Sequence, residues 1–304
     1  MTGRITNAML SASTLRDVNA SLAAMQRTSS ELSSGRTILE PSDNPYGASR
    51  AIDLQSQLDG LGTYAKSTED GIAWANGSES AMANMGEAVQ RVRTLIVQAS
   101  NGTLNPGDLK NIAAQVKQLT ESIKQAANTQ YAGQYVFAGA LTTTRPYAQG
   151  ESDEYQGDEG TIARSIGPGA SVTINSNISS LLGNGQESKD GKLFDVLRTI
   201  TQHLNEGTPE AKAALNSSDL KALDANAETL SGLQAANGST SAQLHTAKSR
   251  IETLEGSITA ALSSTEDADF AKTSIAYSYE RSAYEAALRA GASIVQESLL
   301  NFLH

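Results

Sequence analysis

The sequence predicts a mostly α-helical, elongated rod with coiled-coil terminal helices and a small inserted β-rich domain, and three observations support this prediction. Hydrophobic residues are 39% of the 304 residues and aromatic residues only 5%, so there is little bulk for a spherical core. Apolar residues recur at alternating steps of three and four along most of the chain, which is the period of paired helices. Stretches that alternate with a period of two lie in the middle of the chain.

The first predicted helix ends near Gly35 and carries an incomplete seam, meaning a stripe of side chains by which one helix packs against another. Five apolar residues form this seam, at spacings of three, four, three and seven: Leu15, Val18, Leu22, Met25 and Leu32. Ser29 fills the skipped position. Because small and polar residues interrupt the seam, we expect this helix to be unstable alone and to fold against its partners. Gly35 then provides a left-handed cap.

Two prolines separate the first helix from the rod. Pro41 and Pro45 forbid a continuous helix, so the chain is extended or turned there. Pro45 or the residues after it begin the second helix, with Asp43 or Asn44 near its cap. The apolar register continues to Ala99 through several glycines, which indicates one long helix or two collinear ones.

An antiparallel helical hairpin is predicted next, because a turn at 105–108 precedes the cleanest seam of the chain. That seam is formed by Leu109, Ile112, Val116, Leu119 and Ile123. The composition then shifts between 131 and about 182, where 135–137 and 171–175 are predicted strands of a β-rich excursion. Thr208 and Pro209 begin a later helix, and Asn237 with Gly238 interrupts the helical pattern before a last long helix.

The carboxyl-terminal helix is predicted to follow a hinge at 263–269. It carries a second incomplete seam, formed by Tyr284, Leu288, Gly291, Val295, Leu299 and Phe302. The layout is therefore nested, with both ends side by side. We expect a terminal coiled-coil domain from 1–40 with 266–304, a helical rod domain from 41–140 with 182–265, and a small β-rich domain at 141–181.

Composition excludes several classes of function. The net charge is −10 without a Lys/Arg-rich run, so neither nucleic acid nor an anionic membrane is expected as a partner. There is no cysteine, which excludes disulfides and thiolate metal sites. The acidic residues of 151–159 match no calcium loop, so we expect a solvated loop and neither metal nor cofactor. No group of residues fits an active site, and no apolar run near the start has signal-peptide length.

Four segments resemble motifs of the flagellin family. They read LSSGRTI at 32–38, PSDNP at 41–45, QYVFAG at 134–139 and AGASIVQESLLNFL at 290–303. The second segment resembles the PSDDP of those members that lie at the hook–filament junction, with Asn44 in place of the second acid. The resemblance covers both ends and the nested layout, and the region from Leu141 to Leu262 contributes no motif to it.

The resemblance implies a flagellin-like fold and a structural, non-enzymatic role in motility. It implies an adaptor between hook-associated protein 1 and the flagellin filament, assembled with copies of itself. Secretion to the extracellular flagellum would use the flagellar type III system, with a cytoplasmic export chaperone on the carboxyl-terminal helix. The alternatives are flagellin itself and a non-flagellar secreted coiled-coil scaffold.

The residues expected to carry assembly are seam positions of the two terminal helices. They are Leu15, Val18, Leu22, Met25, Leu288, Val295, Leu299 and Phe302. The domain connector that sets the placement of the first helix is expected to depend on Gly35, Arg36, Pro41, Asp43 and Pro45.

Overall fold

A computed structural model describes residues 7–100, 104–148, 150, 153–185 and 188–302, with the side chains at 7, 8, 10, 11 and from 294 onward left outside the description. Within these ranges the chain is mostly helical with short strands, so the predicted fold class is confirmed. The elements are α1 (Asn7–Ser34), α2 (Pro45–Ala99), α3 (Pro106–Ala127), β1 (Gln130–Tyr131), β2 (Gln134–Tyr135), β3 (Ala163–Gly167), β4 (Ala170–Thr173), α4 (Ser179–Leu182), α5 (Leu193–Glu206), α6 (Pro209–Ala214), α7 (Leu220–Glu266) and α8 (Phe270–Phe302).

The chain divides into two compact units. One unit comprises Met1–Gly60 and Leu254–His304, and the other comprises Leu61–Thr253. The predicted division into a terminal, a rod and a β-rich domain uses other boundaries and stays a prediction.

In the unit Leu61–Thr253, α2 and α7 run antiparallel. Asn237 donates from Nδ2 to the carbonyl oxygen of Ala75 at 3.0 Å, and Arg93 pairs with Asp224 at 2.8 Å. The predicted interruption at Asn237 is wrong, since α7 continues through it and buries its side chain. A helical glycine costs only about 1 kcal/mol against alanine, which the packing of a long helix outweighs.

Helix α3 packs against α5 in the same unit. The Asn105 side chain caps α3 by accepting from the backbone N–H of Asp108 at 2.9 Å. The Asp108 carboxylate in turn accepts from the backbone N–H of Asn105. The predicted α3 seam is confirmed, because four of its members are buried and Leu119 packs against the core. Helix α6 begins at Pro209 with Thr208 as its cap, as predicted, and a π-helical turn at Leu215–Asp219 joins it to α7.

The β-rich region consists of two small antiparallel hairpins, β1–β2 and β3–β4. The predicted strand at 135–137 is only partly correct, since β2 ends at Tyr135 while Val136, Phe137 and Ala138 are buried outside it. Val136, Phe137 and Ala138 pack into the core instead of continuing strand β2.

The acidic segment is not solvated throughout, which corrects the expectation. Asp153 is buried and pairs with Lys124 at 2.8 Å and with Arg198 at 2.6 Å. Asp158 accepts from the backbone N–H groups of Ala140 and Gly160. The acids therefore hold the loop to its surroundings; Glu151 of this segment lies outside the described residues.

Candidate assembly interface

The terminal helices α1 and α8 pack against each other in antiparallel orientation within their unit. At one end of the pair, Gly291 lies so close to Thr14 that an added Cβ would be 3.0 Å from the Thr14 methyl carbon. At the other end, the backbone N–H of Ala268 donates to the carbonyl oxygen of Gly35 at 2.8 Å. The predicted placement of the two ends side by side is thus observed in the described residues.

Residues at heptad spacing that are half-buried, or in one case buried, follow the α1–α8 contact. On α1 it comprises Thr14, Val18, Ser21, Met25, Thr28 and Leu32. On α8 it comprises Thr273, Tyr277, Glu280, Tyr284, Ala287 and Gly291. Thr28 occupies the skipped position and Ser29 is exposed, so the prediction for Ser29 is wrong. The heptad begins one residue earlier than predicted because Thr14, rather than Leu15, faces α8.

The α1–α8 contact is shallow. Among the described side chains of the two helices, Thr273 alone is buried. Large apolar side chains remain in solvent instead: Leu15 is 64% exposed, Ile275 72%, Tyr279 72% and Leu288 44%. Ile275 and Tyr279 are four residues apart and therefore share one face of α8, and an exposed apolar face is typical of a contact with another molecule.

The predicted assembly residues therefore divide into three groups. Val18, Leu22 and Met25 are half-buried, whereas Leu15 and Leu288 face solvent. The remaining three belong to the part of α8 whose side chains are outside the description, namely Val295, Leu299 and Phe302. Phe270, Ile275 and Tyr279 are exposed residues that the seam analysis missed, since they lie off the heptad positions.

The connector is tied to the junction between α7 and α8. Gly35 has a φ of +72°, the left-handed cap that was predicted, and its N–H donates to the carbonyl oxygen of Glu31 at 2.9 Å. The next residues reach across to Glu266, whose carbonyl oxygen accepts from the Thr37 N–H at 2.7 Å and whose carboxylate lies 3.4 Å from the Arg36 guanidinium. No spacing in the sequence indicates these pairs.

The second half of the connector is ordered by Asp43. One carboxylate oxygen accepts from the backbone N–H groups of Leu39 and Glu40, each at 3.0 Å, and the other lies 3.4 Å from Arg27. These backbone hydrogen bonds, helped by Arg27, lower the pKa of the Asp43 carboxyl below its ordinary value. Asn44 caps α2 by accepting from the N–H of Gly47 at 2.9 Å, and Pro45 is the first helical residue, both as predicted.

The described ranges were also searched for groups of metal ligands and for helices that could span a membrane. They contain no group of three or more His, Cys, Asp or Glu placed to hold a metal ion. Across the same ranges, no helix is both long and apolar enough to cross a membrane. The exposed apolar side chains of the α1–α8 pair, such as Leu15, Ile275 and Tyr279, suit binding to other protein chains.

Comparison with known proteins finds similarity to bacterial flagellins in the first part of the chain. Residues 5–142 match the bacterial flagellin N-terminal helical region. Phase 1 flagellin of Salmonella naestved is 35% identical over 125 residues, which are 41% of this chain and 25% of that protein.

The chain also resembles flagellar hook-associated protein 3, as the sequence motifs predicted. That protein of Escherichia coli (strain K12) is 26% identical over 198 residues, which are 64% of this chain and 62% of the relative. The chain therefore spans less than two thirds of the length of the hook-associated relative. The crystal structure of Bacillus cereus FlgL shares the fold, with a TM-score of 0.59 and 20% identity over 69% of this chain and 99% of that one.

Proposed function

We propose that this chain is a structural, non-enzymatic axial protein of the bacterial flagellum. It lies outside the cell at the hook–filament junction, between hook-associated protein 1 and the flagellin filament, and is required for filament assembly and motility. The observation that carries the proposal is the shallow α1–α8 pair, which leaves large apolar side chains in solvent. Because the chain resembles hook-associated protein 3, we expect other chains to cover that surface at the hook–filament junction.

The energetics favour assembly through this surface. Covering a large apolar side chain contributes about 1.5–3 kcal/mol. Leu15, Ile275 and Tyr279 are 64%, 72% and 72% exposed and offer most of such a gain, whereas Leu288, which is 44% exposed, offers less than half of it. Neighbouring copies of the chain, hook-associated protein 1 and flagellin are the proposed partners that cover them.

Export is part of the same proposal. The chain would pass unfolded through the flagellar type III system, with a cytoplasmic export chaperone on α8. Exposed apolar residues on α8, such as Ile275 and Tyr279, give a chaperone a surface to hold before assembly. The absence of cysteine from the sequence means that no disulfide has to form after export.

The test is a double substitution on the exposed surface, Leu15→Ser with Leu288→Ser. Because both side chains already face solvent, we expect unchanged secretion and an unchanged thermal melt, but few or no filaments and secreted flagellin in the medium. Val97→Ser is the matched control, since Val97 is 47% exposed on α2, and it should leave the filaments normal. Normal filaments with the double variant would contradict the proposal.

Flagellin is the second candidate, favoured by the 35% identity of the matched segment. A filament subunit would be labelled along the whole filament, whereas a junction protein would be labelled at its base only. Labelling isolated flagella for this chain separates the two. A null strain with intact filaments and normal swimming would instead favour a coiled-coil scaffold unrelated to flagella.

A further inference from the structure

Two ion pairs determine the register of the α2–α7 pair in the unit Leu61–Thr253. Lys248 pairs with Glu69 at 2.8 Å, and Arg93 pairs with Asp224 at 2.8 Å further along. The α2 seam advances in steps of four and three through Gly71, Ala75, Ser78, Met82, Met85, Val89, Val92, Ile96 and Ala99. The α7 seam advances in steps of three and four through Leu223, Asn226, Leu230, Leu233, Asn237, Thr240, Leu244, Ala247 and Ile251.

This register places Asn237 opposite Ser78. The Asn237 side chain donates from Nδ2 to the carbonyl oxygen of Ala75 at 3.0 Å and to the Glu79 carboxylate at 3.2 Å. Ser78 lies between these two residues on α2, and Trp74 lies one helical turn before Ser78. Trp74 and Ser78 are fully buried, and Asn237 is 3% exposed. We call Trp74, Ser78 and Asn237 the polar layer.

The polar layer contains unsatisfied hydrogen-bonding groups. In the described part of the chain, three buried side-chain nitrogen or oxygen atoms have no hydrogen-bond partner within the protein, namely Trp74 Nε1, Ser78 Oγ and Asn237 Oδ1. Buried polar groups of folded proteins are nearly always paired, with protein or with internal water. Trp74 and Ser78 lie one turn apart on α2, and the Asn237 amide reaches the α2 backbone between them, at the carbonyl oxygen of Ala75.

The three groups are chemically complementary to a single water molecule. The indole N–H can only donate, the amide oxygen can only accept, and the hydroxyl can do either. A water that accepts from Trp74, donates to Asn237 and bonds Ser78 satisfies all three. A rotation of the Ser78 hydroxyl toward the carbonyl one turn back would satisfy Ser78 but neither of the other two groups.

We propose that the polar layer is the binding site of one long-lived internal water molecule. The water joins α2 to α7 where an apolar layer would otherwise continue. With this water in place, the three buried polar groups of the layer are all hydrogen-bonded, and this stabilises the observed register of the antiparallel pair. This site is independent of the surface proposed for assembly.

Trp74 makes the proposal measurable, because it is the only tryptophan of the chain and its indole N–H signal needs no assignment. In the full chain we expect a rotating-frame NOE between water and this proton, opposite in sign to an exchange peak. Water-oxygen-17 relaxation dispersion gives a second readout that exchanging hydroxyl protons do not affect. Asn237→Leu should remove the NOE and reduce the dispersion amplitude by one water.

The matched control is Asn226→Leu, which changes the other buried asparagine of the α7 seam. The Asn226 amide donates to the carbonyl oxygens of Gly191 and Ala222, at 3.2 and 2.9 Å, so its loss should leave both readouts unchanged. If Asn237→Leu fails to fold, Ser78→Val fills the layer from α2 and takes its place. A wild-type protein without the NOE, or equal dispersion in wild type and the variant that fills the layer, would overturn the proposal.

Discussion

Asp153 has neighbours in space that differ in charge from its neighbours in sequence. Acidic residues surround it along the chain, yet its carboxylate lies between Lys124 and Arg198. Lys124 is only 2% exposed, and its ammonium lies 5.8 Å from the centre of the Phe194 ring. A buried ammonium needs a counter-ion, so Asp153 is what permits Lys124 to lie inside. No local pattern in the sequence reveals this pairing.

Removing that counter-ion should be costly. We expect Asp153→Asn to lower the free energy of unfolding by about 3 kcal/mol, since it leaves the buried Lys124 with the carbonyl oxygen of Gly150 and, as its remaining anionic partner, the partly exposed Glu121 at 3.3 Å. Asp224→Asn is the control, because the Arg93–Asp224 pair is about half exposed and should cost under about 1 kcal/mol. Urea denaturation measures both, and equal losses would contradict the role of burial.

The raised pKa values of two buried tyrosines predict that the protein loses stability at high pH. The Tyr155 hydroxyl donates to the carbonyl oxygens of Phe137 and Asp158, and burial raises the pKa of Tyr155 to about 12. Burial also raises the pKa of Tyr147 above its ordinary value of 10. The unfolded chain loses these protons near pH 10, while the folded chain keeps them. The stabilisation is therefore complete below pH 10 and is lost as the pH rises through 12.

The measurement is the free energy of unfolding between pH 10 and 12, together with the ultraviolet absorbance of tyrosinate. Tyr155→Phe should flatten the pH dependence. Tyr135→Phe serves as the control, because its hydrogen bond from Arg145 lowers the pKa of Tyr135 and its removal should not flatten the curve. A dependence that Tyr155→Phe leaves unchanged would assign the loss to other groups.

Among the helices and strands, the features that the sequence predicts are those that depend on contacts between residues a few positions apart. The caps at Gly35, Asn44 and Thr208 were predictable because each bonds to backbone one turn away. The α3 seam was predictable because its spacing has no gap. The failure at Asn237 has the opposite cause, since a long-range contact with Ala75 outweighs a local turn signal.

The candidate site was predictable only in part for the same reason. Two helices with interrupted seams could be recognised from spacing alone, but the face that each turns toward the other depends on the partner. Leu15 looked like a seam residue because it is apolar and correctly spaced, yet Thr14 faces α8. The bonds from Arg36 and Thr37 to Glu266 join positions far apart in the chain and leave no local signal.

We predict that the two prolines of the connector keep this segment from becoming helical. Replacing Pro41 and Pro45 with Ala restores two N–H donors, so helix should extend across 38–48 and displace the turn that Asp43 stabilises. We expect more helix by circular dichroism, an unchanged melt of the unit Leu61–Thr253, and fewer filaments per cell. Pro209→Ala, at the first position of α6, should leave the filament count unchanged. A collapsed melt would place the prolines in the fold of that unit.

The whole molecule combines elements of unequal burial. Helix α3, with 22 residues, buries eight of them, whereas α8, with 33 residues, buries only Thr273 among its described side chains. Local opening costs least where few apolar contacts are lost. The terminal pair should therefore open far more often than the unit that contains α3.

Limited trypsin digestion of the full chain tests this difference. We expect early cleavage after Arg27 and Arg281, whose side chains are 54% and 64% exposed, and a resistant fragment that contains 61–253. Lys110 and Lys117 on α3 are the internal controls, because they are also exposed but lie on a helix anchored by its buried seam. Since all four side chains are exposed and trypsin needs an opened backbone, the rate of cleavage reports how often each helix opens. Equal cleavage rates on α3 and α8 would mean that the terminal pair is stable alone, and the assembly proposal would lose its physical basis.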